Sequence, residues 1–142
     1  MKTAILNLTF REISIIANTI DFYCNGPQYN KFKKDLTESE KDLCNEIYDR
    51  LVIVYNEIKK QYPELFESRP YSEEAKLKTG KIELTCKEIG LLIRLMKTTL
   101  QECDPQQGSD RDLPMLVGPY EAVVYCHQLL LDARRSIASE KV

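Results

Sequence analysis

The chain has 142 residues, of which 43% are hydrophobic and 30% charged, the profile of a folded polypeptide about one domain long. With 20 basic and 22 acidic side chains, its net charge of −2 lacks the positive field that nucleic-acid binding requires. Its longest apolar runs, residues 51–55 and 122–126, fall far short of the ~20 residues that cross a bilayer, so neither nucleic acid nor membrane is an expected partner.

From the N-terminus, Arg11 and Glu12 interrupt any hydrophobic leader and no small-residue cleavage pattern follows, so no signal peptide is predicted. Residues 3–8 alternate in polarity and predict a brief strand. Thr9-x-x-Glu12 is a capping box, in which hydroxyl and carboxylate satisfy each other's backbone N–H groups, and it opens a helix with Ile13, Ile16 and Ile20 on one face. Gly26-Pro27-Gln28 breaks that helix, and a polar loop carrying Lys31, Lys33 and Lys34 follows. Thr37-x-x-Glu40 opens a second helix with a core row of Leu43, Ile47, Leu51, Val54 and Ile58. Residues 51–55 alone would pass for a strand. Asp42, Asn45, Glu46, Asp49, Asn56 and Lys59, interleaved at helical spacing, decide for helix. Tyr62-Pro63 ends it, and Ser72-Glu73-Glu74-Ala75 predicts one short capped turn in a connector spanning 63–78. Residues 81–84 form a second brief strand. Thr85-x-x-Glu88 then opens a third helix bearing Ile89, Leu92, Ile93, Met96 and Leu100. Asp104-Pro105-Gln106 breaks it, a loop runs to Gly118, and a fourth helix is predicted from Pro119 to about Ala138.

Two of these stretches read alike. Ile5-Leu6-Asn7-Leu8-Thr9-Phe10-Arg11-Glu12-Ile13 runs in register with Lys81-Ile82-Glu83-Leu84-Thr85-Cys86-Lys87-Glu88-Ile89. Similar breakers follow, and the apolar row of the second helix aligns with Ala122, Cys126, Leu130, Ala133 and Ile137 of the fourth. The expected fold is therefore mainly α: duplicated βαα units, about 1–62 and 79–142, related by a pseudo-two-fold axis within a single domain. Four helices would form a bundle-like core covering a short two-stranded antiparallel ribbon.

Candidate chemistry is sparse. The five cysteines are odd in number, widely spaced and without a CxxC pair. They predict free thiols in a cytoplasmic protein rather than a disulfide framework or a metal site. The sole histidine, His127, lies a helical turn from Val123, Val124, Leu130 and Leu131, suiting either a packed side chain or a ligand pocket between the halves. Asp42, Glu46 and Asp49 form a carboxylate stripe similar to the magnesium-holding rows of helical nucleotide pyrophosphohydrolases, but no facing helix supplies matching carboxylates. With one histidine no Ser/His/Asp set can be assembled, and the glycines form no phosphate-binding fingerprint. No catalytic role, metal or cofactor is expected.

Binding has more support. Tyr48, Val52 and Tyr55 form a second row on the second helix, either the wider buried face of a central element or a surface on which another chain docks. The loop 104–118, with Asp110 and Asp112, has the charge to meet a basic partner. The sequence is read as a non-catalytic protein–protein interaction module, of the kind represented by inhibitors, immunity proteins and antitoxins that mask another protein. Its partner would be another protein, with a homodimer as one form of association. The alternatives are a small-ligand sensor with a pocket near His127, and a magnesium-dependent hydrolase built on Asp42, Glu46 and Asp49.

Overall fold

A computed structural model describes residues 2–25, 36–67, 69–103 and 120–139. The architecture is mainly helical with a short two-stranded antiparallel sheet. Strand β1 (Thr3–Thr9) leads into α1 (Phe10–Asn25), and α2 (Glu38–Gln61) follows. A 3-10 turn (Pro63–Phe66) and the single-turn α3 (Glu73–Lys76) connect to β2 (Thr79–Thr85), α4 (Cys86–Cys103) and α5 (Tyr120–Ser139).

The ribbon pairs Thr3 with Thr85, Leu6 with Ile82 and Thr9 with Thr79. Alternation sends Leu6, Leu8, Ile82 and Leu84 into the core while Ile5, Asn7, Lys81 and Glu83 stay exposed. Two strands alone are marginal in water, and α2 packs across β2 while α5 packs across β1. Gly80 permits the first of these approaches: a Cβ there would overlap Val54 and stand 3.2 Å from Ile58 Cδ1.

All three capping boxes form. Thr9 N–H donates to Glu12 Oε1 at 2.7 Å, Thr85 N–H to Glu88 Oε1 at 2.9 Å and Thr37 N–H to Glu40 Oε1 at 3.0 Å, each answered by the threonine hydroxyl accepting the glutamate's N–H. Residues 51–55 are helical within α2, whose acidic first turn (Glu38, Glu40) and basic last turn (Lys59, Lys60) complement the helix dipole. The short turn in the connector also forms, with Ser72 Oγ accepting the Ala75 N–H at 3.2 Å. Both strands run slightly longer than their alternating runs, 3–9 and 79–85, because the ladder continues to the capping threonines.

α1 lies along α2 and α4 along α5, while α1 also meets α4 and α5, and α2 meets α4. The buried apolar side chains of both strands and the four long helices form one cluster that includes Ile13, Ile16, Ile20, Ile47, Leu51, Ile89, Leu92 and Met96. Ion pairs cross between elements distant in sequence. Arg50 joins Glu88 and also donates to the Glu83 carbonyl at 3.0 Å, and Arg94 joins Glu40. No helix of the described residues is long and apolar enough to cross a membrane.

Candidate functional site

Residues four and three apart on a helix share a face, so Tyr48, Val52 and Tyr55 line one side of α2. Opposite them α1 presents Ser14, Ala17 and Asn18, side chains short enough to leave space. Between the two helices lies a groove of about 360 Å³, floored by the core residues Ile13 and Leu51. The Ser14 hydroxyl donates back to the Phe10 carbonyl at 3.0 Å, which holds it against its own helix.

All three members of the row are half-buried, but they are not equivalent. The Tyr55 ring stacks on Phe10 with centroids 4.2 Å apart and planes inclined by 27°. Phe10 also meets Phe66 at 4.6 Å and Tyr71 at 5.6 Å. Burial, reinforced by Tyr71, raises the Tyr55 phenol above its ordinary value, while Lys59 Nζ stands 5.5 Å from the ring centroid. Tyr55 is thus the wall where the groove joins an aromatic cluster. Tyr48 and Val52 supply the surface that a ligand or partner could cover. Helical period found this row but not the cluster, because Phe10 opens α1 while Phe66 and Tyr71 belong to the connector.

His127 sits half-buried on α5 and is not among the side chains lining the α1–α2 groove. Desolvation, then the positive charges of Lys97 and Arg134, lowers its pKa, which favours the neutral imidazole. Asp110 and Asp112 lie outside the described residues. Asp42, Glu46 and Asp49 are exposed along α2, and no group of three His, Cys, Asp or Glu side chains able to hold a metal forms among the described residues.

Cys24, Cys44 and Cys126 are buried and Cys86 is half-buried, all four as free thiols. Burial, with Glu12 nearby, pushes Cys126 up to about 12, which leaves it protonated and unreactive at neutral pH. Hydrogen bonding to Cys24, together with desolvation, raises Cys44.

Two further concavities escaped the sequence reading. One, about 390 Å³, lies where Leu77 and Tyr125 stand exposed beside Glu12 and Ile15. The other, about 350 Å³, is bounded by α2, α4 and α5 and carries Lys87, Arg94 and Arg134. Its only trace in the sequence is the spacing of Lys87 and Arg94 by two helical turns, and nothing local links them to Arg134.

The chain matches no protein-family model, no curated protein and no solved structure.

Proposed function

We propose that the chain is a duplicated βαα protein acting as a non-catalytic interaction module that docks another protein on the Tyr48/Val52 face of the α1–α2 groove. Duplication is supported by burial at matching positions. Ile13, Ile16 and Ile20 of α1 are buried, as are Ile89, Leu92 and Met96 of α4 at the spacing that separates Thr9 from Thr85. In the second helices, at a wider spacing, Cys44, Ile47, Leu51 and Ile58 correspond to Val123, Cys126, Leu130 and Ile137. The strand register also suits a two-fold axis: Leu6 faces Ile82, its own counterpart, and exchanging the halves converts the Thr3–Thr85 pair into Thr79–Thr9. Helices α1, α2, α4 and α5 would then form a four-helix bundle-like arrangement within one domain.

The observation that carries the binding role is the half-exposed Tyr48 and Val52 beside an open groove with an apolar floor. Tyrosine joins apolar area to a polar tip with little rotamer freedom to lose, which suits interfaces. Masking of a partner, as inhibitors, immunity proteins and antitoxins do it, requires only such a surface. The free thiols of Cys24, Cys44, Cys86 and Cys126 suit a reducing compartment, and we assign the module to the cytoplasm.

The test compares tagged native chain with a Tyr48→Glu/Val52→Glu variant of unchanged circular dichroism. A single protein held by the native chain in fixed stoichiometry and released by the variant supports the reading, whether it is a different chain or a second copy found by mass measurement. Equal retention by both overturns the choice of face. A native chain that retains nothing and stays monomeric overturns the interaction module.

A further inference from the structure

The cavity bounded by α2, α4 and α5 differs from the tyrosine groove in its charge. Lys87, Gly90 and Arg94 fall along one face of α4, and Arg134 of α5 forms a facing wall. The apolar lining is supplied by Leu43, Leu91 and Ile93. Among the described lining residues three cations meet one carboxylate, Glu40, which is already engaged by the Thr37 N–H and by Arg94. Two net positive charges remain among those residues. Among the described residues no carboxylate forms an ion pair with Lys87 or Arg134. Lys97, nearly one turn beyond Arg94, extends the positive field toward His127.

Gly90 supplies a second, independent observation. A glycine inside a helix is unfavourable relative to alanine, so packing normally explains it. Packing does not explain this one: a Cβ on Gly90 would meet nothing within 4 Å. The absent side chain instead leaves the cavity wall open between Lys87 and Arg94.

We propose that this cavity binds the phosphate group of a small-molecule ligand, with Arg94, Arg134 and Lys87 as its donors. Two net positive charges match a phosphate, which carries roughly −1.5 to −2 at neutral pH. Guanidinium groups offer parallel N–H donors that fit an oxyanion bidentately, and the lysine adds a compact positive charge. A volume of about 350 Å³ lies within the range of small-ligand clefts.

Inorganic pyrophosphate is the probe, titrated into the full chain in about 0.15 M salt, where surface charges beyond ~8 Å are screened. Melting temperature and amide NMR shifts are followed. A saturable rise in melting temperature is expected, with shifts centred on residues 87–94 and 134. Lys87→Gln/Arg134→Gln should weaken binding about a hundredfold, since each lost charge-assisted hydrogen bond is worth about tenfold. Gly90→Leu keeps every charge, so it should raise the melting temperature of the free chain yet weaken pyrophosphate by a similar factor. No saturable response at millimolar pyrophosphate overturns the proposal. So does an unchanged affinity in either variant, and so does a glutamate-rich peptide that binds the same residues as tightly.

Discussion

The α1–α2 groove is lined by uncharged side chains, whereas the α2–α4–α5 cavity carries Lys87, Arg94 and Arg134. Ser14, Ala17, Asn18 and Tyr55 border the first. Gly90, Ile93, Arg94 and Arg134, their counterparts under the proposed duplication, border the second. The scaffold positions beneath them match in burial, as Ile16 and Leu92 or Leu51 and Leu130 do. Apolar residues are held to type by the cost of cavities and overpacking, whereas half-exposed groove walls are free to change charge and size. On the readings proposed above, the two concavities take different occupants, an apolar protein surface in one and an anion in the other.

The largest effects test whether the halves share a scaffold. Ile16→Ala and Leu92→Ala each remove a buried side chain 1% exposed and should each cost about 2–5 kcal/mol in urea unfolding. A cost below about 1 kcal/mol for one of them would break the correspondence. Ala4 and Gly80 sharpen it at the ribbon. Gly80→Val drives a side chain into Val54 and Ile58 and should cost about 1–3 kcal/mol by overpacking. Ala4→Val, at a position that already bears a Cβ, should cost less by the same measurement. Equal costs would mean that the two strands are covered alike.

The smallest effect concerns His127, which the proposed duplication pairs with Tyr48. Its folded pKa is lowered by desolvation, Lys97 and Arg134, so on acidification the unfolded chain takes up this proton first. Its contribution to stability is present above about pH 6.5 and is lost as pH falls through the lower folded-state value. Unfolding midpoints of native chain and His127→Gln, followed from pH 7.5 down to 5, should converge on acidification. Parallel profiles would remove the desolvated histidine from the comparison.

Much of the fold was legible because its causes are local. A threonine and a glutamate three residues apart carry a complete capping box, and all three expected boxes formed. The apolar rows of α1 and α4 turned inward as their period required. The candidate site was legible only along single elements. Tyr48, Val52 and Tyr55 were found as a row, but the stacking of Tyr55 on Phe10 was not, since one ring is on α2 and the other opens α1. Arg50 with Glu88, and Arg94 with Glu40, were equally hidden, because charge patterns along the chain do not say which helices will meet.

By itself, then, the sequence determined where helices and strands begin, which faces are apolar, and that two stretches share one pattern. Capping and periodicity act over a few residues and leave their marks in adjacent letters. Only the tertiary structure decided that Lys87, Arg94 and Arg134 converge, that Gly90 lines the same cavity, and that His127 stands apart from the tyrosine groove. A concavity is made by side chains on separate helices, and their convergence depends on the packing of the whole core.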